Sequence, residues 1–247
     1  MNLRVATFNI HHGEAACGRI DLEGQAAILR DSGADMALLQ EVDVETERSG
    51  WLDQAKTLAR LAGFPHYAFG RNLSMQGGAY GNAILSRFQL TAVTNHPIPL
   101  KDPNLPRPFL NGEIHLPEQR GILQATARIG SETVHLFCSH FGFLIDEPLE
   151  GSRALLELIR PLREPVIFGG DLNAWDERDA EIAPLREEML DCGLAMGQHG
   201  VKTWPADGPR LRLDYLFVRG PYRPVSFRAI PTLVSDHHPV VVELVRG

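Results

Sequence analysis

At 247 residues, with 44% hydrophobic and 22% charged residues, the chain can form one large domain or two small ones around a sizeable core. Its net charge of −7 and pI near 5.8 lack the basic footprint of a dedicated polynucleotide binder. No apolar run approaches the roughly 20 residues needed to span a bilayer. Met1 to Ile10 lacks the charged-then-apolar layout of a secretory signal, so the expected compartment is the cytoplasm. The three cysteines, Cys17, Cys138 and Cys192, form no CxxC pair and no disulfide framework, and Cys138 reads as a buried thiol.

Leu3 to Phe8 and Met36 to Leu39 are short apolar runs, the pattern of buried strands. Between them Leu22, Ala26, Leu29 and Gly33 recur at helical spacing, with Asp21 placed as a cap. Trp51, Ala55, Leu58 and Ala62 predict a second helix, stopped by Gly63 and Pro65. Strands are expected at Ala83 to Leu85, Leu90 to Val93, Ile122 to Ile129 and Val134 to Cys138, with no helix between them. The cluster from Pro97 to Pro108, ending near Asn111-Gly112, reads as a loop. A helix fits Leu149, Ser152, Leu156 and Ile159, a strand Val166 to Phe168, and a weaker helix Glu181 to Leu190. The chain closes with strands at Leu213 to Val218, Val225 to Ala229 and Val240 to Leu244. With no linker or repeat, residues 1–247 read as a single domain. Two mixed β-sheets packed face to face fit this order, and a doubly wound sheet fits the strand–helix alternation as well.

Six of these runs carry a polar residue at one end. Asn9, Glu41, His140 and Asp171 follow theirs, whereas Asp214 and the pair Asp236-His237 precede theirs. Taken singly, each is what a turn or cap looks like. Together they supply the hard oxygen donors that suit Mg²⁺ and the imidazoles and carboxylates of acid–base chemistry. Other motifs fall away: Gly77-Gly78 and Gly169-Gly170 have neither P-loop nor dinucleotide spacing, and HExxH and GxSxG are absent. His11-His12 lacks cysteine or helical partners for zinc.

Seven segments in order resemble the endonuclease/exonuclease/phosphatase superfamily, also called DNase I-like. They are Thr7-Phe8-Asn9-Ile10, Leu39-Gln40-Glu41-Val42, Gly81 to Arg87, Ser139-His140-Phe141, Gly169 to Asn173, Arg212 to Tyr215 and Ser235 to Pro239. The resemblance implies a four-layer α/β sandwich, with two mixed sheets inside, helices outside and an active site at one edge. It implies Glu41 as the principal Mg²⁺ ligand, with Asn9 and Asp236 near the metal and Mn²⁺ able to substitute. It casts His237 as catalytic base or phosphate donor, held by Asp214, and Asp171 as the residue orienting the attacking water. Asn173 and His140 would bind phosphate oxygens.

Two positions depart from the abasic-endonuclease branch: His11 stands where those enzymes have an acidic residue, and His140 where they usually have tyrosine. Arg120 occupies a position often basic in small members and reads either as a phosphate contact or as a surface salt bridge. The leading expectation is a monomeric, metal-dependent phosphodiesterase or phosphatase for a small or lipid-like phosphoester. A metal-dependent nuclease and an inactive protein of the same fold are the alternatives. Specificity is expected in Arg71 to Tyr80, Pro99 to Pro117 and Asp176 to Ala183.

Overall fold

The computed structural model describes residues 2–108, 113–175 and 179–247, with only the backbone of Pro108. The expected loop end at Asn111-Gly112, part of the Pro99–Pro117 segment and the start of the Asp176–Ala183 segment lie outside the described residues.

The first apolar run becomes β1 (Asn2–Asn9), followed by a single 3₁₀ turn at His11–Gly13 and α1 (Leu22–Asp31). Asp21 caps α1 by accepting from the Gly24 amide at 2.9 Å. β2 (Met36–Val44) leads to α2 (Gln54–Ala62), which Asp53 caps and which ends on Gly63 in the left-handed region. Trp51 is not on that helix: it precedes the cap, with φ 61°, and is exposed. The Arg71–Tyr80 segment is not a loop either, because β3 (His66–Met75) and β4 (Gly78–Ser86) pair as a hairpin through it. Then come β5 (Leu90–Pro97), the short pair β6 (Arg107–Pro108) and β7 (Ile114–His115), β8 (Gly121–Ile129) and β9 (Glu132–His140). α3 (Glu147–Ile159), β10 (Val166–Asp171), α4 (Asp179–Glu188), β11 (Leu190–Asp191) and α5 (Cys192–Ala195) follow. β12 (Asp214–Arg219), β13 (Tyr222–Ala229) and β14 (Val240–Arg246) close the chain.

The strands form two six-stranded sheets, ordered β13-β14-β1-β2-β4-β3 and β11-β12-β10-β9-β8-β5. Within them β1 runs parallel to β2 and β9 to β10, and the other pairs are antiparallel. This excludes the doubly wound alternative. Leu3, Val5 and Leu38 of the first sheet pack against Leu136, Ile167 and Leu216 of the second. On the outer face of the first sheet, Phe8 and Leu39 meet Leu29 of α1 and Leu58 of α2. On the outer face of the second, Phe137, Phe168 and Phe217 meet Leu155 of α3 and Ile182 of α4. The result is the four-layer sandwich, and central strands covered on both faces read as continuous apolar runs. Each such core leucine is worth roughly 2–5 kcal/mol on truncation to alanine.

Gly169-Gly170 has a packing task rather than a phosphate-binding one. A Cβ at Gly169 would sit 2.7 Å from Leu38 Cδ1 of the opposite sheet, and one at Gly170 would strike the Ser139 carbonyl oxygen. The pair lets the two sheets and two neighbouring strands approach closely just before Asp171.

Candidate active site

Register alone brings three of the polar strand ends into one row. Asp171 of β10 is opposite His140 of β9 on one side and Asp214 of β12 on the other. From the facing sheet, Asn9 ends β1, and Glu41 occupies a bulge in β2 where pairing with β4 slips between Leu39 and Val42. The bulge places Glu41 at φ 58°, a conformation uncommon outside glycine, and re-aims its side chain. Asp236-His237 arrive from the turn before β14. Ser235 fixes that turn by donating to the Asn9 carbonyl at 2.7 Å, and accepts from the His237 amide at 3.3 Å.

Oδ2 of Asp171 is the point of convergence. It accepts from Asn9 Nδ2 at 3.0 Å and lies 3.4 Å from His140 Nε2 and 3.6 Å from His237 Nε2. Its other oxygen accepts from the Asn173 amide at 3.0 Å. The Asn173 side chain lies 3.1 Å from His140 Nε2 and donates to the Phe141 carbonyl at 3.0 Å. Asn9 also donates to Glu41 Oε1 at 2.9 Å, while its own oxygen accepts from the His11 amide. In this arrangement Asn9 joins two carboxylates with its amide nitrogen. Asp236 accepts from Trp204 Nε1 at 3.1 Å and stands 3.9 Å from His11 Nδ1.

His237 is held on its far side by Asp214, Nδ1 to Oδ2 at 2.8 Å. Burial by itself would depress the imidazolium, but Asp214 and Asp171 outweigh it and push the pKa up to about 10. Burial pushes Asp171 up to about 7, against the pull of the His237 charge. Glu41 is held well below the usual carboxylate range: burial opposes its charge, and His12 and the Asn9 amide outweigh that.

Arg120 is no surface residue. It is 5% exposed, pairs with Glu118 at 3.0 Å and donates to His140 Nδ1 at 3.0 Å. Burial and the Arg120 charge keep the His140 pKa well below its ordinary value. The ring is therefore neutral, with its one proton on Nε2, facing the site.

These groups open into a cavity of about 560 Å³, with Glu41, Arg120, His140, Asp171 and Asn173 at one end. Met75, Tyr80, Phe143, Trp175, Trp204, Leu211 and Leu213 give the rest of the lining its apolar part, and Arg48, Glu113, His115 and Glu118 interrupt it with charged and polar groups. Of these lining residues, Met75 and Tyr80 fall in the expected Arg71–Tyr80 segment and Glu113 and His115 in Pro99–Pro117, whereas Phe143, Trp175, Trp204 and Leu211 are not singled out in the sequence. Met75 and Tyr80 come from the hairpin that the sequence presents as a loop. Two residues of the matching segments serve structure instead: Arg212 pairs with Asp191 at 2.7 Å, and Asn82 donates to the Gly121 carbonyl of the facing sheet at 2.9 Å. The His11-His12 pair, without partners in sequence, has Glu41 beside it in space.

A sequence profile of the Endonuclease/Exonuclease/phosphatase family matches residues 6–237. The chain belongs to that family. Its members are generally hydrolases acting on phosphoesters. The uncharacterised protein YbhP of Escherichia coli K12 is 27% identical to this chain, over 98% of the chain and 96% of its own length. Among solved structures, a family member from Beutenbergia cavernae superposes with TM-score 0.78 at 22% identity, covering all of this chain and 72% of that one. The mannosyl-6-phosphatase of Bacteroides thetaiotaomicron gives TM-score 0.74 at 17% identity, over 98% of this chain and 99% of its own. TDP2 of D. rerio, in complex with a single-strand DNA product, gives 0.70 at 17% identity over 99% of both chains. At these identities the structural matches share the fold. Among the described residues, no helix is long and apolar enough to cross a membrane.

Proposed function

We propose that the chain is an Mg²⁺-dependent phosphodiesterase or phosphatase that hydrolyses a small or lipid-like phosphoester by attack of water. The observation that carries this reading is the convergence of Asn9, His140 and His237 on Asp171 Oδ2, beside a cavity that adds apolar side chains such as Met75, Phe143, Trp175 and Trp204 to its charged groups. A phosphoryl group fits the charged groups around Asp171, and an acyl chain or a ring fits the apolar side chains.

The donor chemistry fits a hard divalent ion: Glu41 stays ionised, Asn9 Nδ2 bridges it to Asp171, and Asp236 stands beside His11. Glu41 would hold Mg²⁺, with Asn9 and Asp236 beside it, and Mn²⁺ would substitute. The ion would supply Lewis-acid polarisation of the phosphoryl oxygens and offset charge on the leaving oxygen.

The protein's own groups divide the remaining work. Asp171, with its pKa near neutrality, orients the water and accepts its proton at Oδ2. His237 is an imidazolium at neutral pH, which suits it to donate from Nε2 to a phosphoryl oxygen rather than to act as the base. Asp214 holds its ring in place. His140 Nε2 and Asn173 Nδ2 donate to phosphate oxygens, and Arg120 keeps the His140 proton on that side.

The test is hydrolysis of bis-p-nitrophenyl phosphate, p-nitrophenyl phosphate, sphingomyelin, inositol phosphates, RNA and plasmid DNA. Each is assayed in EDTA, Mg²⁺ and Mn²⁺. Turnover of the small or lipid esters, lost in EDTA and restored by either ion, is expected, and loss in Glu41→Ala should match EDTA. Full turnover in EDTA sinks the metal assignment. Cleavage confined to DNA or RNA establishes a nuclease, and no turnover of any substrate leaves the inactive-fold alternative.

A further inference from the structure

Glu41 divides its two carboxylate oxygens between different neighbours. Oε1 accepts from Asn9 at 2.9 Å and lies 3.8 Å from His140. Oε2 faces the 3₁₀ turn, 3.9 Å from His12 Nδ1. That ring nitrogen is buried and makes no hydrogen bond, a cost that proteins seldom leave unmet. His11 packs edge-on against His12, ring centroids 4.4 Å apart. Donor atoms of His11, His12 and Glu41 all lie within 4.8 Å of one another. All three residues have left-handed φ, at 47°, 43° and 58°, conformations that bring this trio together and that non-glycine residues rarely adopt.

A carboxylate oxygen and a buried imidazole nitrogen that makes no hydrogen bond stand 3.9 Å apart here, with the second imidazole beside them. We propose that His11, His12 and Glu41 together bind a divalent transition-metal ion of the zinc or cobalt class, through two imidazoles and Glu41 Oε2. Imidazole donors suit such ions, whereas Mg²⁺ takes oxygen ligands. Bonds of roughly 2.0–2.2 Å require the donors to close by less than ~1 Å. The His11 and His12 side chains, 31% and 16% exposed, line an open approach for the ion. The inference rests on Glu41 being a metal ligand and adds ligands on its other side.

The test is calorimetric titration of metal-free protein with Zn²⁺ and, separately, Mg²⁺, alongside visible absorption of the Co²⁺-loaded form. A Cys17→Ser background removes the exposed thiol. His11→Asn and His12→Asn are the variants of choice, because asparagine tolerates left-handed backbone, and circular dichroism checks their folding. Since loss of even an outer-shell partner costs about 10–100-fold in metal affinity, each variant should weaken Zn²⁺ by at least ~10-fold and shift the Co²⁺ bands. Mg²⁺ binding should be unchanged in both. Zn²⁺ affinity unaltered by either variant overturns the proposal. Glu41→Gln separates the two claims: if it leaves Mg²⁺ binding intact, the underlying reading of Glu41 fails. If Mg²⁺ binding is lost but Zn²⁺ binding ignores the histidines, only the present inference fails.

Discussion

Nε2 of His237 lies 3.6 Å from Oδ2 of Asp171, placing a buried imidazolium beside a buried carboxyl group whose pKa is raised. With Asp214 on its other nitrogen, His237 is charged between two acids, which ties its protonation to the stability of the fold.

The first expectation concerns that charge. The folded pKa of about 10 exceeds the ordinary 6.5, so the stabilisation it provides is complete below pH 6.5 and is lost as pH rises through about 10. Nitrogen-detected NMR of metal-free protein should show a His237 ring still doubly protonated at pH 8, while His140 is neutral. Asp214→Asn should bring the His237 titration down toward neutrality and flatten the fall in melting temperature between pH 7 and 10. A His237 ring already neutral at pH 7 in the wild type refutes this.

The second concerns the pair as a unit. His237→Ala should cost on the order of 10³-fold or more in kcat, as the loss of a charge-stabilising donor does. Asp214→Asn should cost roughly 10²-fold or more, by analogy with an orienting triad aspartate. The double variant should be little worse than His237→Ala alone, because Asp214 acts through the ring. Additive losses would mean independent roles. Near-normal kcat with only a lower Tm would reduce Asp214 to a strand cap.

Asp171 makes the opposite trade between activity and stability. Burial raises its pKa to about 7, so its ionisation costs the fold stability as pH rises from the unfolded value near 3.8 through about 7. Asp171→Asn should lower kcat by about 10²–10⁴-fold, the scale of a lost general base. Its Tm at pH 8 should be no lower than that of the wild type. Activity near the wild-type level in the folded variant would remove Asp171 from the chemistry.

Polynucleotide binding gives the fourth expectation. With 31 acidic against 24 basic residues, affinity for duplex DNA should be weak and should fall steeply with salt. Fluorescence anisotropy across a salt series measures it. Tight binding that persists at physiological salt would favour the nuclease reading.

The residues of the candidate site were legible in sequence because they end strands covered on both faces. Such strands read as uninterrupted apolar runs, so Asn9, His140 and Asp171 stand out as polar punctuation. Register then aligns residues from β9, β10 and β12 with no further signal needed. β3 was illegible for the converse reason: it is an edge strand, half exposed, carrying Gly70, Arg71 and Asn72. The hairpin it forms brings Met75 and Tyr80 to the cavity, so the Arg71–Tyr80 segment was singled out while its strand pairing was missed. Trp51 fell at helical spacing by coincidence, because a cap at Asp53 starts the helix later. The meeting of His11 and His12 with Glu41 depends on a bulge and a left-handed turn, which hydrophobic periodicity does not encode.

The close approach at Gly169 has a mechanical consequence. Asn9 and Glu41 ride on one sheet, whereas His140, Asp171 and Asp214 ride on the other, so no half of the molecule contains a complete centre. Under the proposed function, turnover would therefore report the spacing between the sheets. Gly169→Ala would push a methyl group toward Leu38 Cδ1 and act as a wedge. If Leu38 and Leu216 do not give way, that wedge would move Asn9 and Glu41 relative to Asp171 while each sheet keeps its hydrogen bonds.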